Sequence, residues 1–200
     1  MSKIKLPHAS GNSVSIAAPQ SNPASDRTLY LPSNADGTVL TNTTPGCILQ
    51  VLSTSKTDTF STNSTSYTDI TGLSVAITPS SSSNKILVMM NCVVGNQNNV
   101  SAFVQIVRDS TAIHIGDAAG SRIRATAGTA DDPSDQFPYP MSATFLDSPS
   151  TTSATTYKIQ MTTEGSGNTG YGYLNRAGTD TDNNQHGRYA SSITVMEVAG

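Results

Sequence analysis

From residue 46 to its end, the chain is a succession of short apolar runs separated by turn-forming residues. The runs are rich in Val, Ile, Met and Thr, and Gly, Pro, Asn, Asp or Ser bound each of them. Many short strands at regular spacing predict one β sandwich or jelly roll rather than separate hairpins. The predicted strands are Cys47–Thr54, Asp58–Thr62, Ser66–Ile70, Leu73–Thr78, Lys85–Val94, Ser101–Arg108, Ala112–Ile115, Met141–Leu146, Thr156–Thr162, Gly170–Leu174 and Ala190–Val198.

The composition excludes a helical bundle. Glu occurs only at positions 164 and 197, there is no Trp, and charged residues make up 12% of the chain. Helix surfaces normally carry Glu, Lys, Gln and Arg, whereas Thr, Val, Ile and Tyr suit a pleated sheet. We therefore predict an all-β protein.

The first 45 residues differ from the rest. Two short alternating runs, Gly11–Pro19 and Thr28–Pro32, each end at a proline, and a turn at 34–37 precedes Thr38–Thr41. These runs hold too few large apolar groups for an independent core. We predict an extended N-terminal β arm, residues 1–45, followed by a C-terminal head domain, residues 46–200. The arm would be disordered alone, or ordered by pairing with copies of itself or with a larger assembly.

Charge and cysteine content restrict the class of partner. A formal net charge of −3 gives no basic surface for nucleic acid. No run approaches the roughly 20 apolar residues that span a bilayer, and no apolar run follows the N-terminal lysines as in a secretory signal. Cys47 and Cys92 lie among apolar neighbours. We predict buried free thiols and folding in a reducing cytosol.

Two predicted strands are apolar on both faces. In Lys85–Val94, apolar residues occupy both alternating sets. In the last strand, Ile193 and Val195 share one face, and Met196 and Val198 share the other. Such a strand needs a second cover beyond the sandwich partner. A subunit interface formed by these four residues is one explanation; cover by a long loop is equally compatible with the sequence.

The sequence contains no catalytic or metal-binding signature. Neither a Gly-x-Ser-x-Gly elbow nor a His-Glu-x-x-His pattern occurs. The segment from Asp180 to Gly187 starts like a calcium loop, with Asp182 at its third position. The sixth position is Gln185 rather than Gly, and the twelfth is Ser191 rather than Glu. Glycoside hydrolysis needs two carboxylates in one cleft. Glu164, beside glycines, and Asp147, after a predicted strand, are the two candidates for that role. We predict no catalytic residues, metal or cofactor.

Two segments combine aromatic, arginine and amide side chains suited to recognition. The connection from Asp117 to Pro140 is longer than an ordinary loop and predicts a contact surface. Tyr with Asn and Arg offers a ring for stacking and planar hydrogen-bonding groups for sugars or proteins. The alternative for Tyr171 and Tyr173 is that at least one packs inside the sheet. The predicted binding residues are Arg122, Arg124, Phe137, Tyr139, Tyr171, Tyr173, Asn175, Arg176, His186 and Arg188.

Several segments of the sequence resemble tail-fibre-like structural proteins of marine and cyanobacterial phages. Residues 11–41 are similar to the N-terminal β motif of that family, and residues 46–88 are similar to the module that follows it. The phrases Phe145-Leu-Asp-Ser-Pro, Tyr157-Lys-Ile-Gln and Ile193-Thr-Val-Met-Glu extend the similarity to the end.

The resemblance implies a trimeric virion protein whose jelly-roll head is of the complement globular-head and tumour-necrosis-factor class. In that class the C-terminal strand lies near the three-fold axis. The implied partners are two further copies, other virion proteins through residues 1–45, and a host-surface glycan or protein. The implied location is the virion, assembled in the host cytoplasm. Host-reaching fibres are usually much longer, so a capsid decoration or head-fibre protein without a receptor role is the alternative; a glycan-active enzyme is a third.

Overall fold

In a computed structural model, the chain forms β-strands and turns, with no helix among the described residues. These are residues 3–7, 11, 13–17, 44–97, 99–130, 135–164 and 170–200. The chain divides into two compact units, Met1–Val39 and Leu40–Gly200. The predicted runs Thr28–Pro32 and Thr38–Thr41 lie outside the described residues.

The strands, in chain order, are β1 Lys3–Pro7, β2 Ser13–Ala17, β3 Ile48–Lys56, β4 Phe60–Thr62, β5 Thr68–Ile77, β6 Lys85–Asn96, β7 Ala102–Arg108, β8 Thr111–Ile113, β9 Ala127–Gly128, β10 Tyr139–Asp147, β11 Thr155–Thr163, β12 Gly172–Leu174 and β13 Ser191–Val198. In the first unit, β1 and β2 form an antiparallel hairpin that pairs Pro7 with Ser13 and Lys3 with Ala17.

The second unit is a sandwich of two antiparallel sheets. The first sheet has the order β3-β13-β6-β12-β4, with β10 also paired to β6. The second has the order β5-β11-β7-β8, with β9 also paired to β7. Apart from the consecutive pair β7 and β8, strands that neighbour each other in these two sheets are distant in sequence, as in a jelly roll. The predicted all-β jelly-roll class is confirmed.

The core lies between the sheets and follows the two-residue alternation of the strands. In β6, Ile86, Val88 and Met90 point inward and are fully buried. From the second sheet, Tyr157 and Ile159 of β11 meet them in one apolar cluster. Alternation fixes which face is buried, because a register slip of one residue would turn every one of these side chains outward.

A bulge merges two predicted strands into one. Residues 66–70 and 73–78 were predicted to be separate, but β5 runs continuously from Thr68 to Ile77. Ile70 and Leu73, three residues apart, are both buried, which regular alternation forbids. Gly72 has a φ of +81°, and the pairing register with β11 shifts between Lys158 and Gln160. A glycine at positive φ thus lets the bulge turn both side chains inward.

Both cysteines are free, as predicted. Cys92 is buried within β6, whereas Cys47 is only half-buried. Burial raises the pKa of the Cys92 thiol to about 12, and a hydrogen bond with Ser191 offsets part of that rise. At neutral pH the thiol is therefore protonated, and it packs as a small apolar side chain.

A buried carboxylate ties three segments of the sandwich together. Glu197 of β13 is 1% exposed. Its Oε1 accepts hydrogen bonds from the Ser80 backbone nitrogen (2.6 Å), the Ser80 hydroxyl (2.8 Å) and Asn84 Nδ2 (2.6 Å). Its Oε2 accepts one from Gln50 Nε2 at 2.6 Å. Four neutral donors therefore satisfy this charge, and none of these four hydrogen bonds comes from a cation.

These hydrogen bonds hold Glu197 in its charged form. Desolvation raises the pKa of this carboxyl, but the bonds from Asn84, Gln50 and Ser80 together outweigh it, so the pKa lies below its usual value. A depressed pKa stabilises the folded state above the unfolded-state pKa of about 4.3 and loses that contribution as pH falls through the folded-state value.

The substitution Glu197→Gln should therefore reduce the free energy of unfolding by roughly 2–4 kcal/mol at pH 7, because an amide nitrogen would face the Gln50 donor. Urea unfolding at pH 7 measures this loss. Between about pH 5 and pH 3, the variant should lose less stability than the parent chain.

Glu164→Gln is the matched control, since Glu164 is the only other glutamate and is exposed. It should leave both the stability and its pH dependence within about 0.5 kcal/mol of the parent. Equal stability of the two variants would show that the buried hydrogen bonds of Glu197 do not stabilise the fold.

Candidate binding surface

The sandwich has two different ends. At one end, which we call the basal end, the chain enters and leaves the sandwich: Gly46 N donates to Ala199 O at 2.8 Å, and Ala199 N donates to Cys47 O at 2.8 Å. Because β3 and β6 start here and β13 finishes here, the loops that follow β3 and β6 and the loop that leads into β13 lie at the opposite, distal end. Four of the ten predicted binding residues lie in the loop that leads into β13: Asn175, Arg176, His186 and Arg188.

An arginine and two tyrosines stack beside β12. The Tyr171 and Tyr173 rings lie 5.9 Å apart at 19°, and the Arg176 guanidinium carbon lies 3.6 Å from the Tyr173 ring centroid. The Tyr173 hydroxyl donates to Gln97 Oε1. Tyr173 is 6% exposed and Tyr171 is 37% exposed. The expectation that at least one of the pair packs inside is therefore confirmed for Tyr173, and Tyr171 is the ring that solvent reaches.

Asn175 is an internal anchor rather than a contact residue. It is 0% exposed, and its Nδ2 donates to the Lys56 and Asp58 carbonyl oxygens at 2.8 and 2.9 Å. Its Oδ1 accepts the Ser191 hydroxyl at 2.6 Å. Asn also tolerates the backbone φ of +65° found here. A side chain enclosed in this way has no surface to offer a ligand, which corrects its place among the predicted binding residues.

Ion pairs order the loop that follows Asn175. The Asp180 carboxylate accepts hydrogen bonds from both terminal nitrogens of Arg188, and Arg176 Nη1 lies 3.4 Å from Asp180 Oδ2. The hydrogen bond from Arg188, more than the charge of Arg176, holds the pKa of Asp180 below its usual range. Asp180 therefore remains charged at neutral pH, between two arginines.

A small polar cavity lies in this loop. Its volume is about 210 Å³, and it is lined by Asp180, Thr181, Asp182, His186 and Arg188. His186 Nδ1 lies 3.3 Å from the Thr181 carbonyl oxygen, a contact that orients the imidazole ring. Two of the predicted binding residues, His186 and Arg188, thus meet in one concave feature.

The predicted contacts in the long connection are placed differently. Arg122 and Arg124 are exposed, and their side chains bond to nearby carbonyl oxygens of Ala119 and Gly116. Phe137 is 66% exposed, whereas Tyr139 begins β10 and packs against the core. Asp131 and Asp132 lie outside the described residues. The sequence missed β9 within this connection, because a two-residue strand has no periodicity to detect.

The four residues predicted at a subunit interface divide between the two faces of β13. Ile193 and Val195 are fully buried in the core of their own chain, so they have no surface for a partner. Met196 and Val198 are half-buried on the outer face of the first sheet. Met196 pairs with Val51 on one side and Leu87 on the other, and Leu87 pairs with Leu146.

These pairings bring four apolar side chains into one line across four strands. We call this line the apolar row: Val51, Met196, Leu87 and Leu146. Val51 is 52% exposed and Leu146 is 47% exposed. The sequence pointed to Leu87 and Met196 through their two-faced strands. Val51 and Leu146 could not be found in this way, because only the register places them beside the others.

The carboxylates considered for glycoside hydrolysis do not share a cleft. Asp147 is 5% exposed, and its oxygens accept hydrogen bonds from Arg108 at 2.8 and 2.9 Å and from the Tyr157 hydroxyl at 2.6 Å. Asp147 thus links the two sheets. Glu164 is exposed near the distal end. Within the described residues, no group of three or more His, Cys, Asp or Glu could hold a metal ion, and no helix could cross a membrane.

If Asn175 is an anchor, Asn175→Ala should destabilise the head. The change removes three hydrogen bonds, leaves buried carbonyl groups without donors and puts Ala at a positive φ, so the expected loss is about 3 kcal/mol. Urea unfolding measures it. Asn184→Ala, at an exposed position in the same loop, should change stability by less than about 0.5 kcal/mol. Similar losses in both variants would contradict the anchor role.

Comparison with known proteins identifies no family for this chain. No family model and no curated protein matches it. Among solved structures, the chain is similar to one in the structure of infectious bursal disease virus Gx strain, with 18% sequence identity and a TM-score of 0.35. The match covers 94% of this chain and 47% of the viral chain. At this TM-score, the similarity carries no argument about function.

Proposed function

We propose that this chain is a structural protein of a phage virion: a homotrimeric tail fibre or knob. Residues 1–45 attach it to other virion proteins, and the β head, residues 46–200, presents its distal end to a glycan or protein on the host surface. It acts without a cofactor and without catalysis, and it binds neither nucleic acid nor the membrane interior. Its location is the virion, after assembly in the host cytoplasm.

The observation that carries this proposal is the outer face of the first sheet, which is almost free of charge. Four strands, β3, β6, β10 and β13, place mainly Ser, Thr, Asn, Met, Val and Leu side chains on this face. Among the residues that these strands contribute to it, Lys85 near the basal end is the single charged one. By contrast, the outer face of the second sheet carries an ion pair of 2.8 Å between Lys158 and Asp69. An uncharged face crossed by an apolar row suits burial between subunits.

The direction of the sandwich supports the attachment. Gly46 and Cys47, the first residues of the head, lie at its basal end. The polar cavity and the stacked tyrosines are at the opposite end. A particle that holds the arm would therefore leave these distal loops for contact with another surface. The sequence resemblance to tail-fibre-like proteins supports the same arrangement.

Capsid decoration is the second candidate function. A trimer of the same construction could cover the capsid surface without contacting the host. The cavity and the exposed aromatic rings of the distal loops favour host contact over this alternative.

Purified protein should have three times the mass of one chain, 20.8 kDa, by light scattering. Met196→Asp should give a folded monomer, because each subunit would bury an unpaired charge at a cost of about 3 kcal/mol or more. Met196 is only half-buried within one chain, so the substitution spares the core. Circular dichroism checks that the fold is retained.

Ser74→Asp is the matched control, since Ser74 is exposed on β5 of the second sheet. It introduces the same charge away from the apolar row and should leave the trimer intact. A parent chain that is monomeric, or a Met196→Asp variant that remains trimeric, would contradict the proposed interface.

Competition separates receptor binding from decoration. Excess free trimer should reduce adsorption of the phage that carries this protein to its host cells, because both compete for the same surface groups. If the trimer forms but adsorption is unchanged, the decoration role replaces the receptor-binding role.

A further inference from the structure

The distal cavity has the chemistry of a saccharide site. We propose that this cavity binds one neutral sugar residue of a host-surface glycan, a proposal that rests on the host-binding function proposed above. The cavity is lined by Asp180, Thr181, Asp182, His186 and Arg188. This assignment names the ligand class and places recognition in one loop of the head.

The lining favours a polyol over a protein side chain. Every one of the five lining residues carries a hydrogen-bonding group, and none has an apolar side chain. Protein partners bind most strongly by filling desolvated pockets with aromatic or aliphatic anchors. A sugar ring instead presents several hydroxyl groups, each of which can donate to a carboxylate or accept from a hydroxyl or imidazole.

The charges favour a neutral sugar over an anionic one. Both terminal nitrogens of Arg188 already donate to Asp180, so the guanidinium fork that would grip a carboxylate or phosphate is occupied. Asp182 adds a second negative charge to the lining. An anionic sugar would therefore be repelled and would find no free bidentate donor. A bound cation is also disfavoured, because two arginines neutralise Asp180.

The site is held in place before any ligand arrives. Arg176 contacts Asp180 on one side and the Tyr173 ring on the other. Tyr173 in turn is fixed by Gln97 and stacks with the exposed ring of Tyr171. Such ordering reduces the entropy lost on binding.

The volume sets the size of the ligand. Pockets for drug-sized molecules occupy about 300–1,000 Å³, and this cavity measures about 210 Å³. It therefore accommodates a single pyranose ring rather than an extended oligosaccharide. With about 12 non-hydrogen atoms, one such ring is expected to bind with a dissociation constant of about 1 mM.

Ligand-observed NMR on the full-length protein tests the assignment. The probes are the methyl glycosides of glucose, galactose, mannose and N-acetylglucosamine, compared with glucuronic acid and N-acetylneuraminic acid. At least one neutral glycoside should bind with a dissociation constant of about 1 mM, and both acids should bind at least about tenfold more weakly.

Asp182→Ala should weaken binding of the neutral ligand about tenfold or more by removing a hydrogen-bond acceptor. Asp117→Ala, an exposed carboxylate outside the cavity lining, should leave binding unchanged.

Tighter binding of an acidic sugar would overturn the neutral assignment, and equal effects of the Asp182 and Asp117 variants would overturn the location. If free trimer competes for host cells but no glycoside binds, the saccharide assignment fails and host attachment remains; a protein receptor then replaces the glycan. If a neutral glycoside binds but the protein neither trimerises nor competes, the proposed virion function fails and the saccharide site remains.

Discussion

The structure depends on the burial of one alternating set of side chains between two sheets. Ile86, Val88 and Met90 from the first sheet meet Tyr157 and Ile159 from the second, all fully buried. The register of the strands follows from keeping this set inside. Because alternation has a period of two, the residues between the buried ones face outward. On the first sheet they include the apolar row, and on the second sheet they include the ion pair between Lys158 and Asp69.

The strand pattern was largely predictable because alternation and turn residues are local signals. Ten of the strands in the second unit overlap a predicted segment; the exception is β9. The merged strand β5 shows where local signals fail: the bulge at Gly72 breaks the period, and only packing reveals that Ile70 and Leu73 both face inward. Cys92, within a long apolar run, was correctly expected to be buried.

The polar residues were much less predictable. Asn175, Asp147 and Glu197 look like surface or ligand-binding residues in the sequence, yet each is nearly completely buried. Each forms hydrogen bonds to residues far away in the chain, and no sequence pattern encodes such partners. Similarly, Arg176 and Arg188 were predicted to contact a ligand, but their pairing through Asp180 emerges only when the loop is folded.

The position of the C-terminal strand has a consequence for biosynthesis. β13 comes after β3 and β6 in the chain, lies between them and pairs with both. These two strands therefore cannot complete the first sheet while β13 is still inside the ribosome. Most of the pairing is between segments distant in sequence, which makes folding slow relative to chains with local contacts. The first sheet consequently becomes complete only after β13 has left the ribosome, and its apolar strands remain exposed to aggregation until then.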